Sequence, residues 1–196
     1  MRRGFIRSPL QSQNGSEVLA KCLARLASMT QPKTYVQELP ELNLIGVSAD
    51  FISSLYQDSN AQEVIPPLWN RFFGQLAELE GLEATWMVGA MGYAAKPTGE
   101  PGEMSYFAGA KVEDFSQEIG PLKTLTVPAG RYAICEHVGP IDSVVATTEY
   151  FYKRWLPESG LVWRDSFDLE IYDERFNGGE DSILLICCPI EEGDAD

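Results

Sequence analysis

Between Asp165 and Glu174 the chain reads DSFDLEIYDE, and strand alternation puts Asp168, Glu170 and Tyr172 on one face with Leu169 and Ile171 on the other. A carboxylate beside a phenol can serve two kinds of chemistry. Shielded from water, it is a counter-charge for an organic cation; within reach of a bound water, it is a general base. From the pattern alone, the Leu/Ile face packs on a helix. The Glu/Tyr face points either to solvent or into a seam between structural units. In a seam, burial raises the pKa of Glu170 and makes it a poor isolated charge, which a bound cation compensates. A delocalised lipophilic cation suits such a site because it costs less to desolvate than a small hydrated one. Aromatic faces add roughly 0.5–2 kcal/mol each through cation–π contact.

Aromatic side chains are well placed to supply those faces. Trp86, Tyr93, Tyr106 and Phe107 fall on expected strands, and Trp69, Phe73, Tyr152 and Trp155 on expected helices. Alternation sends Tyr106 and Phe107 to opposite faces, so one of the two reaches the seam. The expected ligand-binding set is Glu170, Tyr172, Tyr106, Trp86, Tyr93, Phe107, Trp155 and Trp163, with Trp86, Tyr106 and Tyr172 foremost. Trp163 follows the second helix as a rim residue, and helix aromatics such as Trp69 are read mainly as core. His137 is the sole histidine and has no partner at metal-ligand spacing, so no metal is expected. Its pairing with Ser143 or Ser166 makes no recognisable triad, and a structural role is expected.

The elements that must hold these residues form one order played twice. LNLIGVSADF (42–51) reads as a strand, 61–82 as a helix with Pro66 and Pro67 in its opening turn, and 84–94 and 104–112 as strands. Then RYAICEHV (131–138) is a strand, 139–161 a helix stopping at LPESG, and 165–174 and 182–190 strands around the turn residues Asn177, Gly178 and Gly179. Two β-α-β-β units predict an α+β fold of antiparallel sheets with a concave site where the halves meet. Residues 1–32 read as an appendage whose Ser16 caps a short helix over 17–29, and 33–196 as the domain proper.

Net charge is −14, and no basic stripe exists apart from Arg2, Arg3 and Arg7, so direct nucleic-acid binding is not expected. No apolar run reaches the roughly 20 residues a membrane span needs. The start of the chain lacks a hydrophobic stretch after its basic residues, which is not a secretory signal. A cytoplasmic protein with four reduced thiols, Cys22, Cys135, Cys187 and Cys188, is the expectation.

The segments TVPAGRYAICEHVGP, RWLPESGL, DSFDLEIYD and ILLICCPI, with SYFAGAKV in the first half, resemble the GyrI-like small-molecule-binding domain over about residues 35–190. That domain is the effector-binding module of AraC-type and MerR-type multidrug regulators and also occurs alone as a DNA gyrase inhibitor. The resemblance implies a pseudo-twofold pair of β-α-β-β units around a central aromatic-lined cavity. It also implies a buried glutamate in the pattern Leu169-Glu170-Ile171-Tyr172, and a Tyr-x-Ala-Gly strand tyrosine at Tyr106. Residues 1–32 are too few for the DNA-binding half of such regulators, which departs from a direct transcription-factor role. The implied function is binding of lipophilic, cationic small molecules for sensing or sequestration, with no cofactor. Two alternatives stay open. One is a hydrolase of cyclopropane-bearing toxic compounds with Glu170 as catalytic base; the other is a gyrase-inhibitor-like interaction protein. A protein partner or a homodimer is equally left open.

Overall fold

The structure, a computed structural model, describes residues 31–79, 84–116 and 118–191. The expected helix over 17–29 and Cys22 lie outside the described residues, as does the end of the helix expected over 61–82. The two repeats appear as β2 (Leu42–Ile52), α1 (Ala61–Leu76), β3 (Met87–Tyr93) and β4 (Glu103–Val112), then β6 (Gly130–Val138), a helical segment, β7 (Asp168–Tyr172) and β8 (Ile183–Pro189). Two strands were absent from the sequence reading, β1 (Thr34–Leu39) and β5 (Lys123–Val127). Each precedes one repeat in the chain but pairs with the other: β1 joins β6, and β5 joins β2. The halves are thus laced together by exchanged edge strands.

All pairings are antiparallel, and both halves merge into one eight-stranded sheet in the order β1-β6-β8-β7-β3-β4-β2-β5. The junction is β3 against β7, the third element of each repeat. Both helical segments cover one face. α1 packs Leu68 and Phe72, four residues apart, onto Ile45, Val47, Ala108 and Ala110. Pro66 and Pro67 sit well inside α1 rather than in its opening turn. The helix tolerates them because the carbonyls they leave unbonded belong to Gln62 and Glu63, which are exposed to water.

The second helical segment is not one regular helix. A 3-10 turn (Ile141–Ser143) leads into α2 (Val144–Tyr150), a π turn (Phe151–Trp155) and α3 (Leu156–Ser159). Pro157 has no N–H to offer the preceding turn, which accounts for the widened winding before it. Gly160, at φ 72°, ends the segment in the left-handed conformation that glycine adopts without strain. Phe151 stacks on Trp155 at 5.5 Å and packs with Ala133, Cys135, Ile186 and Cys188.

The opposite face carries no helix among the described residues, and its side chains are sealed in one cluster drawn from all eight strands, Leu42, Val88, Ile134 and Leu169 among them. A single cluster that takes in both edge strands, with Leu39 of β1 and Val127 of β5, fits a sheet that curls around that face. Leu169 and Ile171 of β7 are buried there, each contributing roughly 1.5–3 kcal/mol through burial. That fixes which way the alternate residues of β7 must point.

Candidate ligand-binding site

Glu170 lies opposite Gly89 of β3 on one side and Ile186 of β8 on the other. Ile186 packs beneath the second helical segment, and Ala108, the β4 partner of Gly89, packs beneath α1. Glu170 therefore points to the helix-bearing face. This corrects the expectation that Leu169 and Ile171 pack on a helix: they face the curled side, and the polar face of β7 lies under the helices.

The helices cover the outer strands of each half, so the central pair β3 and β7 forms the floor of a cleft. Met87 and Met91 of β3 and Asp168, Glu170 and Tyr172 of β7 keep partial solvent access, flanked by sealed strands. Glu170 is surrounded by protein yet retains some accessible surface. A narrow cleft floor explains both: a water can reach it, but bulk solvent does not screen it.

The carboxylate is held by hydroxyls. Tyr106 donates to Glu170 Oε2 at 2.6 Å and Tyr172 donates to the same oxygen at 3.2 Å. The indole N–H of Trp69 donates to the Tyr106 oxygen at 3.2 Å, extending the chain to α1. Trp69 also meets Tyr172 edge-on at 5.4 Å. No donor among the described residues reaches Oε1, since both hydroxyls bond Oε2. Gly89 makes the arrangement sterically possible, since a Cβ there would collide with the Tyr106 hydroxyl and crowd Glu170 Oε2.

Burial raises the pKa of Glu170, and the hydroxyls of Tyr106 and Tyr172 offset part of that rise. Both tyrosines are pushed well above the ordinary phenol value by burial and then by the carboxylate, so they remain neutral donors. Two residues farther back on the same face, Asp168 is pushed up to about 7 by burial, against the Tyr152 hydroxyl and the Cys188 thiol. Its Oδ1 is sealed from water and has no hydrogen-bond partner. Among the described residues, neither Asp168 nor Glu170 has an ion-pair partner.

Residues 32–191 match the family model of the GyrI-like small molecule binding domain. The chain belongs to this family. Among its relatives is the transcriptional regulator BrlR of Pseudomonas aeruginosa, 27% identical over 143 residues, which are 73% of this chain and 49% of BrlR. The GyrI-like chain thus spans about half the length of that curated relative. SAV2435, solved bound to tetraphenylphosphonium, shares the fold at TM-score 0.64 and 20% identity, over 81% of this chain and 94% of its own. The C-terminal domain of EcmrR superposes at TM-score 0.54 and 19% identity, covering 84% of this chain and all (100%) of that domain.

Within the GyrI-like domain, the structure brings Glu170, Tyr172 and Tyr106 together and adds Trp69, which sequence reading left to the core. The signal for Trp69 was its indole N–H, which seeks an acceptor when buried. Trp155 lies on the second helical segment against Phe151. Trp86 and Phe107 point to the curled face, away from Glu170. Trp86 lines a groove of about 420 Å³ with Tyr35, Ile134, Ile171 and Leu185, and Lys111 Nζ lies 4.6 Å over its ring. Tyr93 is 77% exposed and Trp163 48% exposed at the periphery.

His137 is buried, with Thr147 Oγ1 2.8 Å from Nδ1 and the Pro140 carbonyl 3.2 Å from Nε2. The carbonyl assigns the proton to Nε2 and leaves Nδ1 accepting from the threonine. Cys135, Cys187 and Cys188 are free, buried thiols, and burial pushes Cys135 up to about 12 and the other two higher still. They stay protonated and inert. No metal-holding cluster of His, Cys, Asp and Glu occurs among the described residues, and none of their helices is long and apolar enough to cross a membrane.

Proposed function

We propose that this GyrI-like domain binds lipophilic organic cations in the cleft over β3 and β7, with Glu170 as the counter-charge, for sensing or sequestration of such compounds. The observation that carries this reading is a carboxylate enclosed by protein, oriented by two tyrosine hydroxyls, and without a cationic partner among the described residues. A buried charge is expensive unless paired, and a ligand cation supplies the pairing. Trp69 and Tyr172 bring aromatic rings beside the carboxylate, and contact with an aromatic face favours a delocalised cation over a hydrated ammonium. The tetraphenylphosphonium bound to SAV2435 is a molecule of this class.

The test is calorimetric titration with tetraphenylphosphonium. Glu170→Gln keeps the shape of the side chain and removes its charge, and weakens binding at least about tenfold, the value of a contact to a charged group. Unchanged affinity in that variant overturns the reading.

A further inference from the structure

We propose that a groove on the curled face, lined by Phe107 and Phe167 and headed by Lys123, binds planar aromatic carboxylates, a ligand class opposite in charge to that of the cleft. Cross-strand register builds this groove from four neighbouring strands. Ser48 of β2 lies opposite Phe107 of β4, and Phe107 lies opposite Ala90 of β3. Lys123 of β5 lies opposite Gly46, one same-face step from Ser48. These positions share the face of Leu44 and Leu125, across the sheet from Glu170. The groove encloses about 220 Å³, below the roughly 300–1,000 Å³ of sites for drug-sized ligands, which limits the ligand to one or two rings.

Three features set the chemistry. The first is charge. Lys123 is the only charged side chain that lines the groove. Its Nζ donates to Ser48 Oγ at 3.1 Å, and an ammonium has three donors. Lys33, Lys153, Arg154 and Arg175 each have a carboxylate within ion-pair distance, and Lys123 has none among the described residues. Of the acids close by in the chain, Asp50 accepts from the amides of Ala95 and Lys96, both at 2.9 Å, and Asp165 accepts from the Tyr93 hydroxyl.

The second feature is aromatic lining. Phe107, Phe167 and Tyr93 all border the groove, and Tyr93 is 77% exposed, so a bound ring covers apolar surface that water otherwise touches. The third is the lack of bulk between them. Ala90 and Gly92 are small, and the Phe167 ring lies so close over Gly92 that a Cβ there would meet it at 2.8 Å. A flat arene fits among these rings with its carboxylate on the spare donors of Lys123. An inorganic anion leaves the aromatic lining bare, and an organic cation meets the lysine.

The probe is naphthalene-2-carboxylate, with the neutral naphthalene-2-carboxamide as its isostere, titrated calorimetrically into the full chain. The carboxylate is expected to bind about fivefold tighter than the amide, the upper value of a solvent-accessible ion pair. Lys123→Met keeps the apolar stem on an exposed position of an edge strand and brings the two ligands to parity. Ser48→Leu fills the groove without touching the charge and weakens both. Glu170→Gln leaves both unchanged, because the cleft lies on the other face. Thermal unfolding of each variant confirms that it is folded. Absence of carboxylate binding at millimolar concentration overturns the proposal, as does a preference that survives Lys123→Met. Binding that Ser48→Leu spares, or that Glu170→Gln removes, places the ligand elsewhere and overturns it too. None of these outcomes bears on the cation reading of Glu170, which stands or falls on tetraphenylphosphonium.

Discussion

Two buried-acid regions lie on opposite faces of one sheet, a single strand layer apart, and they solve the same electrostatic problem differently. On the curled face, Glu136 is 8% exposed and paired with Lys33 and Arg175. Arg175 is itself tied to Asp173 at 2.6 Å. These residues border the groove that holds Tyr35 and Trp86, and their charges cancel within the chain. On the helix-bearing face, Asp168 and Glu170 have hydroxyl and thiol neighbours but no cation among the described residues. Hydroxyls orient a carboxylate without neutralising it. The first region is complete by itself, whereas the second leaves its charge for something else to balance, which is the ground for proposing the cleft rather than the roomier groove as the binding site.

The strongest way to break this comparison is to remove the unpaired charge and find no relief. Asp168 holds its proton up to about 7, against an ordinary 3.8. Between those values the folded state binds the proton and the unfolded chain does not. Stability therefore falls as pH rises from about 4 to about 7 and levels off above. At 1.36 kcal/mol per pH unit the ceiling is about 4 kcal/mol, and the partial solvent access of the residue discounts it to about 2 kcal/mol. Asp168→Asn is expected to raise stability at pH ~8 by that amount and to match the parent below pH ~4. Denaturant unfolding at both pH values measures it, and a destabilised variant at alkaline pH would mean that the charge is balanced after all.

The same contrast explains what could be read from the sequence. β2, β4, β6 and β8 announce themselves by dense apolar runs, and the turn at Asn177–Gly179 by its residue types. β1 and β5 do not, because edge strands with exposed residues such as Gln37, Glu38, Lys123 and Thr124 carry no apolar pattern. Alternation grouped Asp168, Glu170 and Tyr172 on one face, but the face that receives helices depends on cross-strand register, which is nonlocal. Trp86 illustrates the limit. One residue along β3 decides between the cleft and the curled face, and only the pairing of Gly89 with Glu170 settles it. Asp168 itself was visible in the pattern, yet an acid on a half-polar strand resembles a solvated surface until its neighbours are known.

Gly89 sharpens the comparison at smaller magnitude. A methyl group there meets the Tyr106 hydroxyl and approaches Glu170 Oε2, so Gly89→Ala forces the phenol off its acceptor or pushes the strands apart. The expected destabilisation is about 1–2 kcal/mol, in the range of core overpacking, accompanied by weaker tetraphenylphosphonium binding because Glu170 loses its orienting donor. Thermal unfolding and the same titration report the two effects. A variant with the parent's stability and affinity would mean that Tyr106 does not hold the carboxylate.

The smallest effect is expected from the paired region. Breaking a fully buried ion pair is costly when it strands a charge away from water. Glu136→Gln does not, because the side chain of Lys33 is 68% exposed and that of Arg175 39% exposed, and Arg175 keeps Asp173. The loss should stay under about 1 kcal/mol and, because the groove lies across the sheet from Glu170, leave cation binding in the cleft as it was. Denaturant unfolding at neutral pH with a parallel tetraphenylphosphonium titration decides it. A large drop in cation affinity would place the site on the curled face and reverse the assignment of the two regions.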